Sequence, residues 1–74
     1  MAKIKYLIMQ TEINVEDDES MQTYGIACVK DDIVVEYIED ISPDKKSVVK
    51  AAEKFTKNHL DPVHFEYAVE DLLP

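Results

Sequence analysis

The segment Ser42–Leu60, SPDKKSVVKAAEKFTKNHL, is the part of the sequence that decides the fold. Its apolar side chains recur at helical spacing on one arc of a helical wheel, and its charged side chains lie on the other. The apolar arc comprises Val48, Val49, Ala51, Ala52, Phe55, His59 and Leu60, and the charged arc comprises Lys46, Lys50, Glu53, Lys54 and Lys57. The pattern predicts an amphipathic helix that covers another surface of the protein.

The start of this helix is marked by capping residues at two alternative positions. Ser42 can cap the helix, with Pro43 at the first helical position and Asp44 near the positive end of the helix dipole. Asp44 can instead be the cap, with the helix starting later. Both alternatives place the start of the helix between residues 42 and 46.

Three stretches before this helix have the composition and alternation of β-strands. They are Ile4–Val15, Met21–Lys30 and Asp32–Ile41. Glu16–Ser20 joins the first two and is rich in carboxylates. It lacks the ligand alternation and central glycine of an EF-hand loop, so it is interpreted as a solvated turn.

The second and third strands are predicted to form a hairpin around Asp31-Asp32, a turn without the preferred glycine. A loop of two or four residues places Cys28 opposite Val35, Ile26 opposite Tyr37 and Val29 opposite Val34. A three-residue loop would exchange the two faces of the sheet. Gly25, the only glycine, marks a bulge or a close approach of another chain segment.

A second helix is predicted over Pro62–Leu72, with Asp61 as its cap and Pro62 in its first turn. Its apolar stripe comprises Phe65, Ala68, Val69 and Leu72. The element order is therefore β-β-β-α-α. The sequence predicts a single α+β domain over residues 1–74, a three-stranded antiparallel β-meander followed by two helices packed on one face.

Two helices on one face leave the other face of a three-stranded sheet uncovered. The candidate interface residues on that face are Ile4, Tyr6, Ile8, Val29, Val34 and Ile38, with Ala27 among them. An apolar patch of this kind tends to be an interface, and a chain of this size gains core by pairing. The sequence therefore predicts a homo-oligomer or a protein partner.

The charge balance is strongly acidic. Eight lysines and no arginine face 16 Asp and Glu residues, a net charge of −8. This disfavours direct nucleic-acid binding, because a negative field repels phosphates and arginine is the preferred side chain for contacting them. Two interpretations of the acidity stay open, solubility and attraction to a basic partner.

The sequence also bears on location. No stretch reaches 18 apolar residues, so no membrane segment is expected, and the N-terminus lacks the apolar core of a signal peptide. One cysteine, Cys28, forms no intrachain disulfide and fits a reducing compartment. We therefore expect a cytoplasmic protein.

Candidate catalytic and metal-binding residues are few. His59 lies within the apolar arc and is expected at the edge of the core, whereas His64 is expected to cap or to be exposed. Cys28 is expected to be an inert core thiol. Two histidines do not make a metal site, and Ser20, Ser42 and Ser47 lack a nucleophile motif. We expect no enzyme activity, no cofactor and no metal.

The C-terminal half carries a more specific pattern. It consists of Glu39-Asp40-Ile41-Ser42, the helix Val48–Phe55, then Asn58-His59-Leu60-Asp61-Pro62-Val63-His64 and Val69-Glu70-Asp71-Leu72-Leu73, after a Tyr24-Gly25 pair in the strands. This pattern resembles a family of small proteins from clostridial-type Firmicutes, a domain of unknown function. The resemblance implies the β-β-β-α-α fold and a bacterial cytosolic setting, and it implies no activity or catalytic residues.

Two functional hypotheses follow from these features. The first is a small, acidic, non-enzymatic protein-interaction module that self-associates or binds a partner. The alternative is an acidic inhibitor or nucleic-acid mimic, of the phage type, that targets a basic protein cleft. Its negative surface would comprise Glu16–Glu19, Glu39, Asp40, Glu66, Glu70 and Asp71. The lysines of the first helix are interpreted as a solvated face.

Overall fold

Three antiparallel strands form one open sheet in the order β1-β2-β3. They are β1 (Ile4–Asn14), β2 (Ser20–Lys30) and β3 (Ile33–Ser42) in the computed structural model, which describes residues 3–14 and 20–72. The predicted strands therefore agree with the observed ones to within a residue. Val15, predicted as the end of the first strand, and Glu16–Glu19 of the predicted acidic turn lie outside the described residues. Ser20, the last residue of that turn, begins β2.

The turn between β2 and β3 is Asp31-Asp32, and both residues have left-handed backbone angles, with φ of 50° and 67°. A two-residue hairpin turn of type I′ requires positive φ at both positions, and aspartate tolerates this conformation better than most residues. Lys3 holds the turn, since its N–H donates to the Asp31 carboxylate and its carbonyl accepts from the Asp31 N–H, both at 2.9 Å. The start of β1 is thereby tied to the β2–β3 turn.

A β-bulge at Val35 changes the register of this hairpin. Val29 lies opposite Val34, as a two-residue loop predicts, but Cys28 lies opposite Glu36 and Ile26 opposite Ile38. The predicted pairings of Cys28 with Val35 and of Ile26 with Tyr37 are therefore wrong. The extra residue in β3 shifts the partners of Cys28, Ala27 and Ile26 by one residue. The β3 side chains opposite them therefore lie on the face of the sheet opposite to the predicted one.

A second irregularity in the β2–β3 pairing lies at Gly25. A Cβ atom there would overlap the carbonyl oxygen of Ile38 and would lie 2.9 Å from Cα of Glu39. Asp40, just beyond, has a φ of 52°. This confirms the predicted role of Gly25, because the backbone of β3 approaches β2 where only glycine leaves room.

The first helix, α1, spans Lys45–Lys57 with Asp44 as its N-cap residue. The later of the two predicted starts is therefore the observed one. The Asp44 carboxylate accepts from the Ser47 hydroxyl at 2.6 Å, which lowers the pKa of Asp44. The Ser42 hydroxyl accepts from the Asp44 N–H at 3.1 Å, so it orders the approach to the helix.

Helix α1 ends in a Schellman motif, three residues before the predicted end at Leu60. The Leu60 N–H donates to the Phe55 carbonyl at 3.0 Å, and the His59 N–H donates to the Thr56 carbonyl at 3.2 Å. His59 has a φ of 52° and occupies the position that usually requires glycine. Its left-handed backbone turns the chain out of the helix.

Asp61 starts the last helical segment, as predicted, and its carboxylate accepts from the Val63 N–H at 3.0 Å. The segment is a 3₁₀ turn over Pro62–His64 followed by a short helix, α2 (Phe65–Glu70), and not one continuous helix to Leu72. Neither α1 nor α2 has the length and apolar character of a membrane-spanning helix in the described part of the chain.

Both helices pack on the same face of the sheet around three aromatic rings. The ring of Tyr6 from β1 lies 5.6 Å from Phe55 of α1 and 5.1 Å from Phe65 of α2, measured between centroids. The core comprises Tyr6, Ile26, Cys28, Val48, Ala51, Ala52, Phe55, Phe65 and Val69. The predicted α+β architecture is confirmed.

Candidate interaction surface

The face of the sheet that points away from α1 and α2 forms a surface of its own, here called the outer face. Its described residues are Leu7, Met9, Thr11, Ile13, Met21, Thr23, Gly25, Ala27, Val29, Val34 and Tyr37. Lys5 belongs to the same face, opposite Val29 at one end of the strands, and the backbone of Glu39 lies beside Gly25. Charged residues make up 32% of the chain, so charge is depleted on this face but is not absent.

One row of the outer face has large side chains on its two outer strands and a small one in the middle. Leu7, Ala27 and Tyr37 lie directly opposite one another across the three strands. Leu7 is 48% exposed and Tyr37 58% exposed. Gly25, the next residue of β2 on this face, is buried beneath the backbone of β3 at Ile38 and Glu39. The exposed apolar area of this row therefore lies on β1 and β3.

A second row on this face consists of Lys5, Val29 and Val34. Val29 is buried, and Val34, opposite it on β3, is 56% exposed. Val35, the extra residue of the bulge, is 51% exposed. Contiguous exposed apolar side chains on a surface of a few hundred Å² mark a contact site more often than a bare surface.

The six residues predicted to share the uncovered face do not share it. Only Val29 and Val34 lie on the outer face. Tyr6 belongs to the core beneath the helices, and the other three, Ile4, Ile8 and Ile38, pack against that core. The prediction placed the even-numbered residues of β1 on the uncovered face, whereas they lie on the helix side. The bulge at Val35 moves Ile38 to the helix side as well, and the sequence does not indicate that bulge. Whether Val29 and Val34 contact a partner stays a prediction.

The opposite side of the sheet is fixed by a polar anchor between β1 and α1. The backbone N–H of Tyr6 donates to the Thr56 hydroxyl at 2.9 Å, and the Tyr6 hydroxyl donates to the Leu60 carbonyl at 2.8 Å. Burial raises the pKa of the Tyr6 phenol well above its usual range, and the neighbouring Cys28 adds to the shift. Tyr6 is therefore a structural residue.

The sequence pattern did not identify Thr56, at the edge of the apolar arc of α1, as a residue that contacts β1. Its hydroxyl also lies 3.0 Å from the Ala52 carbonyl, to which it donates within the helix. The useful signal was its i, i+4 spacing from Ala52, which places it on the side that faces β1. Thr56 covers the backbone of the β1 edge at Tyr6.

The residues considered for catalysis or metal binding lie apart from one another. Cys28 is fully buried on the helix side, and burial raises the pKa of its thiol. His59 is exposed at the end of α1, so its predicted place at the core edge is wrong; its side chain follows the left-handed turn outward. His64 is exposed, as predicted. Among residues 3–14 and 20–72, no three His, Cys, Asp or Glu side chains are grouped to hold a metal ion.

Three shallow grooves lie on the helix side and at the sheet edges. The first, about 470 Å³, has an apolar floor of Ile41, Val48, Ala51 and Leu72, with Lys50 and Lys54 among its lining residues. The second, also about 470 Å³, runs between β1 and α1 past Tyr6 and Thr56. The third is smaller and is lined by Glu36, Glu66 and Glu70.

The charges of the described chain are separated rather than paired. Helix α1 carries Lys45, Lys46, Lys50, Lys54 and Lys57 against one acidic residue, Glu53. The ion pair found within residues 3–14 and 20–72 is Lys5 with Asp32 at 3.9 Å, on exposed side chains. A pair of this kind contributes little to stability.

The fold and the outer face define a small α+β domain with an open three-stranded sheet. The chain belongs to a family of unknown function, DUF6514, whose model matches residues 1–74. The searches of curated proteins and of solved structures each found no significant match. The resemblance inferred from the C-terminal half is thus confirmed as far as membership of a domain family of unknown function.

Proposed function

We propose that this protein is a small non-enzymatic interaction module that binds another polypeptide through its outer face. The observation that supports the proposal is the row of Leu7, Ala27 and Tyr37 on the outer face, in which the two large apolar side chains are about half exposed. Apolar side chains can be removed from water without burying an unpaired charge. The half-exposed Leu7 and Tyr37 supply apolar contact area.

The composition of this surface fits the anatomy of protein interfaces. Interface cores are depleted in charged residues and enriched in tyrosine and methionine. Met9, Met21 and Tyr37 lie on the outer face, and Lys5 and Glu39 lie at its rim. An apolar centre within a polar rim is the arrangement that gives a specific protein contact.

The setting of the protein is part of the same proposal. We propose a cytoplasmic protein from a clostridial-type bacterium. The sequence resemblance described above supports the source, and the single buried thiol of Cys28 supports a reducing compartment.

The alternative proposal is an acidic inhibitor or nucleic-acid mimic. It is supported by the groove between β3 and α2, which Glu36, Glu66 and Glu70 line together. Binding through that groove would be electrostatic and would weaken as salt is added, whereas binding through the outer face would not. The ionic-strength dependence of any captured complex separates the two proposals.

The test of the outer face is site-specific photo-crosslinking in the producing cells. A benzophenone amino acid replaces Tyr37 on the outer face in one variant and Tyr67 on α2 in the control. The two tyrosines are matched in exposure, since they are 58% and 70% exposed, and they lie on different elements, β3 and α2. We expect discrete crosslinked bands from position 37 and none, or far weaker ones, from position 67.

Equal crosslinking from the two positions, or none from position 37, would count against the proposal. Tyr37 also lines the acidic groove. Crosslinking from a third position, Glu66, together with position 37 would therefore favour the inhibitor hypothesis instead, and crosslinking from position 37 without Glu66 would favour the outer face. Circular dichroism of each variant must show the wild-type spectrum, because all three sites are exposed and tolerate a larger side chain.

A further inference from the structure

We infer that the partner presents an extended segment that pairs antiparallel with the outer edge of β3, and that this segment alternates apolar and basic residues. The inference rests on the proposed function, because Tyr37 belongs to the outer face and to this edge, and it adds the binding mode and the chemistry of the partner. Three observations carry it: the backbone edge of β3, the exposed apolar side chains of that strand, and the acidic groove beside it.

The backbone groups at the outer edge of β3 are oriented by the pairing of the sheet. Tyr6 donates its N–H out of the sheet to Thr56, so Tyr6 and Cys28 form a pair of the non-hydrogen-bonded type. The next residue of β2, Ala27, then directs its backbone groups toward β1. Tyr37 lies opposite Ala27, so its N–H and its carbonyl point away from β2. An additional strand could bond to both groups.

The two edges of the sheet differ in this respect. At the β1 edge, the Thr56 hydroxyl accepts from the Tyr6 N–H at 2.9 Å and lies 3.3 Å from the Tyr6 carbonyl, to which it also donates. Helix α1 thus satisfies the outward backbone groups of β1 at this level. At the other edge, Tyr37 is 58% exposed. The β3 edge is therefore the one that is open to a strand.

The side chains of β3 are unusually exposed for a strand of this composition. Four apolar residues are each more than half exposed, namely Ile33, Val34, Val35 and Tyr37. An edge strand with such side chains is a template for pairing with another chain. The same strand carries Glu36, Glu39 and Asp40, so a second copy of β3 would meet like charges. The edge therefore fits a partner of the opposite charge.

The groove between β3 and α2, about 380 Å³ in volume, specifies where that charge lies. Glu36 of β3 lines it together with Glu66 and Glu70 of α2. The ion pair found within residues 3–14 and 20–72 is elsewhere, between Lys5 and Asp32. A lysine or arginine of a partner that enters the groove would form charge-assisted hydrogen bonds with these carboxylates.

The alternation of the partner follows from the geometry of paired strands. Residues opposite one another point to the same face of a sheet, and their neighbours point to the other face. The partner residue opposite Tyr37 therefore lies on the outer face, where an apolar side chain fits. The residues before and after it lie on the helix side with Glu36 and Ile38, where a basic side chain reaches the groove. Main-chain bonds then supply affinity, and the alternate side chains supply specificity.

Titration with synthetic peptides tests this pairing. The probe is the dye-labelled peptide KVKVKVK with blocked ends, and fluorescence anisotropy measures its binding to the full chain. We expect a dissociation constant on the order of 100 μM. The peptide KKVVVKK has the same composition and charge without the alternation, and it should bind about five-fold more weakly or worse. The charge-reversed peptide EVEVEVE should not bind measurably, because the groove and the whole chain are acidic.

Backbone methylation of the probe tests the strand hydrogen bonds without changing the protein. In an antiparallel pair, the valine opposite Tyr37 donates its N–H to the Tyr37 carbonyl, and the lysine N–H groups point away from β3. Methylating the valine nitrogens should therefore weaken binding about 10-fold or more, and methylating the lysine nitrogens should weaken it less than about three-fold. By NMR, the Tyr37 amide hydrogen should exchange more slowly when the unmodified peptide is bound.

Variants of the protein test the groove. Glu66→Gln combined with Glu70→Gln should raise the dissociation constant of KVKVKVK about five-fold or more. Glu12→Gln combined with Glu53→Gln is the matched control, because it removes the same charge from two exposed residues that do not line the groove. It should raise the constant less than about two-fold.

The outcomes separate this inference from the proposals above. Equal binding of KVKVKVK and KKVVVKK, or equal effects of the two glutamine pairs, overturns the inference, and the first result is the one expected of an electrostatic inhibitor. Loss of binding on methylation of the lysine nitrogens alone overturns the antiparallel pairing. Crosslinking in cells from both Tyr37 and Glu66 is expected of an edge strand as well, so the alternation controls decide between the two. If crosslinking at position 37 captures a protein while KVKVKVK does not bind, the proposed function stands and the inference fails.

Discussion

Replacing Gly25 with alanine is expected to lower the stability of the fold strongly, although it adds only one methyl group. The new Cβ would overlap the Ile38 carbonyl oxygen and lie 2.9 Å from Cα of Glu39, closer than real Cβ atoms approach backbone. Both are backbone atoms of β3, so no side chain can rotate to make room. The φ of Gly25 is not positive, so the effect is one of space and not of backbone conformation.

The magnitude follows from what must move. Separating β2 from β3 at this point weakens the pairs around Tyr24 and Ile26, at a cost of about 1 kcal/mol for each hydrogen bond lost. Overpacking adds about 1–3 kcal/mol. The lower chain entropy of alanine in the unfolded state returns about 0.4–1 kcal/mol. The free energy of unfolding should therefore fall by about 2–4 kcal/mol, out of about 5–15 kcal/mol for a typical domain.

Urea denaturation followed by far-UV circular dichroism measures this loss, at one fixed protein concentration because self-association would add stability. Ala27→Ser in the same strand is the matched control, since Ala27 is half-buried and pairs with Tyr37 between the two irregularities of the β2–β3 pairing. We expect it to change stability by less than about 1 kcal/mol. A Gly25→Ala protein within about 1 kcal/mol of wild type would refute the reasoning from close strand approach.

Three further predictions concern α1 and Tyr6. Thr56→Val should lower the free energy of unfolding by about 1–3 kcal/mol, because the Tyr6 N–H loses its acceptor. Thr56→Ser keeps the hydroxyl and should keep most of the wild-type free energy of unfolding. His59→Gly should raise the thermal midpoint, since glycine removes about 1 kcal/mol of left-handed strain, and His59→Val should lower it. The free energy of unfolding should also fall at high pH, because the pKa values of Cys28 and Tyr6 are raised on folding. The fall should begin above about pH 9 and become steeper above about pH 10, by up to about 1.4 kcal/mol per pH unit for each of the two groups. Tyr6→Phe should abolish the steeper part.

Each of these has a contrary result. Equal losses for Thr56→Val and Thr56→Ser in urea titrations would show that the hydroxyl is not the anchor. A lower midpoint for His59→Gly in thermal scans would show that the His59 side chain contributes more than the backbone strain costs. The sign of the pH effect is fixed, since both groups keep their protons longer when folded; denaturation midpoints that rise with pH between 9 and 11 would contradict it.

The order of the strands and helices was predictable from the sequence because local signals agree with the tertiary structure. The alternation in β1 and β2, the arc of α1 and the Asp61-Pro62 start of the last segment each indicate the element that is observed. Gly25 is a further example, since a single glycine inside a strand pattern predicts a close approach. These features depend on neighbours in the sequence, which is why periodicity and capping rules find them.

The face assignments were not predictable in the same way. The bulge at Val35 has no sequence signal, yet one extra residue moves Tyr37 to the outer face and Ile38 to the core side. His59 was assigned to the core edge because the apolar arc continues through it, whereas the helix ends at Lys57. Glycine usually occupies the position after a helix, so a histidine there does not indicate that the helix ends.

The anchor between Tyr6 and α1 joins residues that are 50 and 54 positions apart in the chain. During synthesis from the N-terminus, β1 is therefore made long before Thr56, Leu60 and Phe65, the residues that complete its surroundings. Contacts between distant parts of a chain slow folding. We expect that this domain gains its structure only after Phe65 has been made, and that shortening the chain before Phe65 leaves a sheet that recruits chaperones or proteases.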